Sequence, residues 1–157
     1  RVVLTGSEID DPGFTKLLED CGAMVVADRY CYGSLPGREQ IEIQEGETAL
    51  RAVARHYLRT SQCPRFMEKN RSDGRRKYVK QLVDEYGADG VIYTQMKFCE
   101  FWSYERVLGV HVLAEEMGVP TIGIEREYSV TSAGQLRTRF QAFIESLEIK
   151  NIQGGKK

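Results

Sequence analysis

The chain has 157 residues, of which 41% are hydrophobic and 29% charged, a size and composition suited to one soluble globular domain with a single core. Its 22 Lys and Arg nearly balance 23 Asp and Glu, for a net charge of −1, so the basic field of a nucleic-acid binder is missing and any cationic function must be local. No apolar run approaches the ~18 residues of a membrane helix, and neither nucleic acid nor membrane is expected as a partner.

Arg1 to Ser7 reads as a strand from the first residue, without the charged, apolar and small-residue pattern of a signal peptide. The chain is expected to be cut from something longer and to work in the cytoplasm. After Val2-Val3-Leu4 and the small-residue turn Thr5-Gly6-Ser7, Asp11 is placed to cap a helix with Pro12 at its first position. Phe14, Leu17 and Leu18 face inward on that helix, which Gly22 stops. Ala23 to Ala27 is a second strand, completing a βαβ unit.

Asp28 to Glu47 carries glycines, Pro36 and mixed charges without periodicity and reads as loop. From Thr48 to Arg59, Leu50, Val53, Ala54, Tyr57 and Leu58 recur at helical spacing, and Thr60 to Pro64 breaks the pattern. A further helix over about Ser72 to Tyr86 turns Tyr78, Val79, Leu82 and Val83 to one side, while the charges from Arg71 to Lys80 read as a solvated face. Asp89 to Tyr93 is the third strand, a helix runs from about Tyr104 to Met117, Pro120 to Glu125 is the fourth strand, and the last helix spans Ser132 to Leu147. Residues 1–150 are thus expected to form one Rossmann-like, three-layer α/β domain with a parallel sheet of about four strands, and 151–157 a polar tail.

Ligands of such a sheet gather beyond the carboxyl ends of its strands. Two of those four segments hold a cysteine, Cys31 and Cys99; Cys21 and Cys63 lie elsewhere, and no CxxC is present. Uneven spacing of this kind suits free thiols or ligands better than a disulfide framework. Thr5-Gly6-Ser7 looks like a phosphate-cradling turn, but neither GxGxxG nor a Walker pattern accompanies it. Ser132-x-x-Gln135 fits a capping box, and Gly134 beside it would leave helix-start amides open to an anion. Arg137 and Arg139 are two apart, so at most one points at a given site. His56 and His111 are isolated, and Glu100, Glu125 and Glu127 offer carboxylates near strand ends.

Three segments carry a resemblance: Ala88 to Glu100 with its Lys97-Phe98-Cys99, Gly118 to Glu125, and Ser132 to Phe143 with its Ser-Ala-Gly-Gln-Leu-Arg-Thr-Arg run. Together with Arg1 to Ser7, Asp10-Asp11-Pro12, Val25 to Asp28 and Cys63-Pro64-Arg65, they resemble the 2-hydroxyacyl-CoA dehydratase family, which includes benzoyl-CoA reductase subunits. The resemblance implies two Rossmann-like domains per subunit with a 4Fe-4S cluster between them, of which this would be the C-terminal domain. It makes Cys99 the metal ligand, and Ser132, Gly134, Gln135 and Arg137 the candidate substrate-binding residues. It assigns no ligation to Cys31 or Cys63. It implies further an acyl-CoA substrate, a paralogous second subunit and an ATP-dependent iron-sulfur activator that delivers single electrons to the thioester, or to an aromatic ring in the reductase branch. Without a preceding domain, the cluster is expected to be absent or incomplete in this chain and the isolated domain inactive. The competing expectation is a flavodoxin-like or receiver-like binding module without redox chemistry.

Overall fold

A computed structural model describes residues 1–31, 33–65, 69–128 and 133–154. Four parallel strands, β1 (Val2–Gly6), β2 (Val25–Arg29), β3 (Gly90–Met96) and β4 (Thr121–Arg126), form one sheet in the order β2-β1-β3-β4. The helices are α1 (Pro12–Glu19), α2 (Ala49–Thr60), α3 (Lys69–Tyr86), α4 (Glu100–His111) and α5 (Ala133–Gln153). A short 3-10 turn spans Leu35–Gly37, and α4 continues into a π-helical stretch over Val112–Glu116.

Chain direction explains the layers. The step from β1 to β2 runs one way across the sheet, and the steps from β2 to β3 and from β3 to β4 run the other way. Right-handed crossovers therefore put α1 on one face and α3 and α4 on the opposite face. Strand alternation matches: Val2, Leu4, Ile92 and Ile124 pack with Phe14, Leu18, Leu136 and Phe140 of α1 and α5. Val3, Val91 and Tyr93 pack with Val79 and Leu82 of α3 and with Trp102 and Leu113 of the α4 segment. Each large apolar side chain fully buried in these layers contributes about 1.5–3 kcal/mol.

Local chemistry sets the boundaries. Asp11 caps α1 by accepting a hydrogen bond from the Gly13 amide at 2.8 Å, and Thr48 caps α2 by accepting from the Arg51 amide at 3.3 Å. α4 begins at Glu100, earlier than the expected Tyr104, and α5 reaches Gln153, six residues beyond the expected Leu147. β3 runs on to Met96 because its extra residues pair with Glu125 and Arg126 of β4. No helix among the described residues is long and apolar enough to cross a membrane.

Two expectations are corrected. The stripe on α2 is not a core face: Leu50, Val53, Tyr57 and Leu58 are exposed, and only Ala52 is buried. Helical spacing reports which residues share a face, and here that face is not covered. The Arg71 to Lys80 charges are not wholly solvated either, since Arg75 and Arg76 are 2% and 8% exposed. They occupy the inward stripe of α3, one turn before Val79. There α4 supplies a partner: Arg75 Nη2 donates to Glu105 Oε2 at 2.7 Å, and Arg76 Nε lies 3.3 Å from Glu105 Oε1.

Candidate functional site

The direction reverses between β1 and β3, so the crevice expected of a doubly wound sheet opens where Gly6-Ser7 meets Met96 to Cys99. On the β1 side the turn is consumed by the sheet. Gly6 has φ +122°, and a Cβ there would fall 1.9 Å from the Thr94 carbonyl oxygen, so only glycine fits. The Ser7 amide donates to that same carbonyl at 3.0 Å, and the Ser7 hydroxyl accepts from the Met96 amide at 2.9 Å. Thr5-Gly6-Ser7 stitches β1 to β3 and is not an open phosphate cradle.

The β3 side is different. Phe98 has φ +67°, a left-handed conformation rare for a bulky residue, and its ring is 98% exposed. Such strain persists only where the surroundings impose it. Here the Lys97 amide donates to Arg126 O and the Cys99 amide to Met96 O, at 2.8 and 3.1 Å. Cys99 is half-buried at the N-cap of α4 and makes no side-chain capping bond. A cleft of about 220 Å³ opens beside it, lined by Gln95, Phe98, Cys99, Glu100, Ser103 and Tyr104. Lys97 pairs with Glu127 across the strand ends at 2.8 Å, which raises its pKa.

Beneath this edge lies a set of residues whose burial the charge pattern hid. Arg29, at the end of β2, is 1% exposed and lies 5.2 Å from the centre of the Trp102 ring. Its guanidinium donates to the Gln62 side chain and carbonyl at 3.2 and 2.6 Å, and burial lowers its pKa. Trp102 Nε1 donates to Cys31 Sγ at 3.0 Å. Cys31 is exposed as a residue, but desolvation of its sulfur pushes the thiol up, opposed by that hydrogen bond. Cys63 follows Gln62 and is close enough to act electrostatically on Cys31. Cys21 is remote from them, packed against the α1 and α5 core with its thiol 3.9 Å from the Arg137 carbonyl. Glu105 carried a signal: it shares the inward stripe of Trp102, Gly109 and Leu113, where a carboxylate must find a cation.

Of the other expected residues, Ser132 lies outside the described residues. Gly134, Gln135 and Arg137 sit exposed on the first turns of α5. Because β3 and β4 are parallel neighbours, Cys99 and the start of α5 share the carboxyl end of the sheet. Their helices then descend opposite faces, α4 with one core and α5 with the other. Arg139 donates to the Gly123 carbonyl at 2.7 Å, which engages it at the edge of β4. His56 is half-buried with its ring against Tyr57, and His111 is exposed in the last turn of α4. Glu100 and Glu125 are exposed. Among the described residues, no group of three or more His, Cys, Asp or Glu could hold a metal ion.

Fold and site together define a doubly wound α/β domain with a thiol at its ligand-binding edge. The chain belongs to the 2-hydroxyglutaryl-CoA dehydratase, D-component, family, whose profile matches residues 1–147. It is 31% identical over 150 residues to a putative dehydratase subunit, YjiM, of Escherichia coli, covering 94% of this chain and 37% of that protein. It is 28% identical over 147 residues to the (R)-phenyllactyl-CoA dehydratase beta subunit of Clostridium sporogenes, and 27% over 157 residues to the (R)-2-hydroxyglutaryl-CoA dehydratase beta subunit of Acidaminococcus fermentans; each match covers 94% of this chain and 38% of the relative. The chain thus spans well under half the length of these relatives. A flavodoxin-like or receiver-like module is not favoured beside such a match.

Proposed function

We propose that the chain is the C-terminal domain of an iron-sulfur 2-hydroxyacyl-CoA dehydratase subunit, and that Cys99 gives it one cluster thiolate. The observation that carries this reading is the place of Cys99: the N-cap of α4, directly beyond β3, held by a left-handed Phe98. The thiolate of a cysteine is the form that binds iron. A cap position usually given to Ser, Thr, Asp or Asn is here spent on a thiol. One such donor fits a 4Fe-4S cluster as a single corner. We assign the remaining thiolates to a preceding Rossmann-like domain, for which the greater length of the relatives leaves room.

A bound cluster supplies single electrons, which no side chain can do. In the proposed reaction the thioester carbonyl takes up one electron and the 2-hydroxyl group leaves as hydroxide; loss of the C3 proton and return of the electron then give the 2-enoyl thioester, so the dehydration is redox-neutral overall. The electron originates with a separate ATP-hydrolysing iron-sulfur activator, and a paralogous second subunit completes the enzyme in the cytoplasm. The relatives are dehydratase subunits, which favours dehydration over aromatic-ring reduction. The residues of α5 have a separate task. Gly134 leaves early amides of the helix approachable, and Gln135 or Arg137 donates to the thioester oxygen as negative charge develops. Since α4 and α5 descend opposite faces, the thioester must straddle the carboxyl ends of β3 and β4.

Anaerobic purification of the longer protein that carries the chain tests this reading. It should be brown and contain iron and sulfide, and Cys99→Ala should lower both. Gln135→Ala should keep both while lowering activator-dependent turnover by about 100-fold, as for other lost oxyanion donors. A colourless, iron-free protein would overturn the proposal.

A further inference from the structure

A second cleft, of about 350 Å³, lies between α2 and α3. We infer that it binds phosphate groups of a nucleotide-type ligand; naming that ligand as the CoA moiety of the substrate rests on the function proposed above. The charge of its walls is the first ground. Arg38, Arg59, Arg71 and Lys77 line it against one carboxylate, Glu39, in a chain whose overall charge is −1. Lys16 with Asp20 at 2.8 Å and Lys80 with Asp84 at 2.6 Å show cations neutralised locally at other places on the surface. Arg59 and Lys77 pair with no carboxylate among the described residues.

Two of the cations are held in place by the fold. Arg38 donates from Nε to Ser34 Oγ at 3.1 Å and from Nη1 to the Tyr86 hydroxyl at 3.3 Å, with its guanidinium 5.5 Å from the Tyr86 ring centre. Arg71 Nη1 donates to the carbonyls of Leu58 and Ser61 at 3.3 and 3.4 Å, which fastens it to the end of α2. Guanidinium groups fixed before binding recognise phosphate oxygens at little entropic cost.

The floor is the second ground. Arg71, Gly74 and Lys77 recur every three residues along α3 and so share the face turned to the cleft. Glycine is among the least favourable residues inside a helix. Yet a Cβ on Gly74 would meet no atom within 4 Å, so internal packing does not require it. What the glycine does is keep the floor of the cleft open. The third ground is position. Leu35, Thr60, Ser61 and Gln62 also line the smaller cleft that contains Cys31, and Gln62 holds Arg29 at the end of β2. A ligand anchored by its phosphates between α2 and α3 can therefore extend toward the carboxyl end of the sheet.

Calorimetric titration of the 157-residue chain with inorganic pyrophosphate and with coenzyme A tests the inference. Both should bind, more weakly as salt is raised. An Arg59→Ala, Lys77→Ala double variant should lose about tenfold or more for each probe, since two charges facing the phosphates are removed. Gly74→Glu should do the same by placing a carboxylate on the floor, without lowering the melting temperature, because Glu suits a helix better than Gly. Failure of both probes to bind, or binding untouched by both variants, overturns the inference. Pyrophosphate binding that is lost in both variants, with no binding of coenzyme A, supports the phosphate site and overturns its assignment to the substrate. Neither result alters the iron content read in the Cys99 experiment.

Discussion

On the α1 and α5 face, Val2, Leu4, Ile92 and Ile124 meet other apolar side chains, with the Phe14 and Phe140 rings edge to face at 5.6 Å. On the α3 and α4 face, the same strands meet Val79, Leu82, Trp102 and Leu113 together with buried Arg29, Arg75, Arg76 and Glu105. Arg75 and Arg76 share one buried carboxylate there, while Arg29 donates to Gln62. Arg29 Nη1 and both Nε and Nη1 of Arg75 have no hydrogen-bond partner among the described residues. Apolar burial is favourable in itself, whereas buried ions add little net stability and are costly when one partner is lost. The positive excess lies by the ends of β2 and β3, where Cys31 and Cys99 emerge, so the face with less to gain in stability is the one beside the candidate chemistry.

The largest effect should come from breaking the ionic face. Glu105→Ala strips the arginines of their carboxylate and should destabilise by about 3–5 kcal/mol in urea unfolding. The comparison sharpens if Arg75 and Arg76 are replaced by Met and Leu in the Glu105→Leu background, which should recover most of that loss. Failure to recover would mean that Glu105 acts through packing and not through charge. Phe140→Ala probes the apolar face and should cost about 3 kcal/mol, at the low end for a buried Phe because the Phe14 ring can lean into the space. The smallest effect lies away from both faces. Glu47 is held at a pKa of about 2 by its hydrogen bonds from Arg55, against an ordinary 4.5. A depressed carboxylate pKa stabilises the fold above the ordinary value, and that contribution is lost as pH falls from 4.5 through about 2. An NMR titration of the Glu47 carboxyl checks it; a midpoint near 4.5 would remove Arg55 from the account.

Where local chemistry decides the outcome, the sequence was readable. Asp11 and Pro12 start α1 as expected, Phe14, Leu17 and Leu18 turn inward, and each strand is a short apolar run near the expected place. What spacing cannot reveal is the surface a stripe will meet. Leu50 and Leu58 lie exposed on a helical face that is uncovered among the described residues, while Arg75 and Arg76, which look solvated, continue the stripe of Val79 and Leu82 and are covered by α4. The stripe of Trp102, Gly109 and Leu113 shows that Glu105 needs a cation but not that Arg75, 30 residues away, supplies it. Cys99 stood out in the sequence through its place beyond a strand and through the company of Lys97 and Phe98. Its N-cap position and the left-handed residue before it are properties of the folded turn.

β1 precedes both of its partners in chain order yet occupies the middle of the sheet, and this has a consequence for how the domain is made. Val2 pairs with Val25 on one side and with Gly90 on the other. At about 5–20 residues per second, several seconds of translation separate the two events. Until β3 leaves the ribosome, β1 can be satisfied only by β2, and the hairpin-free β1-α1-β2 unit carries a bare strand edge on its far side. Such long-range parallel pairing folds slowly. Chains interrupted before Gly90 should therefore be trapped by aggregation, whereas those interrupted after Met96 already contain every partner that β1 requires.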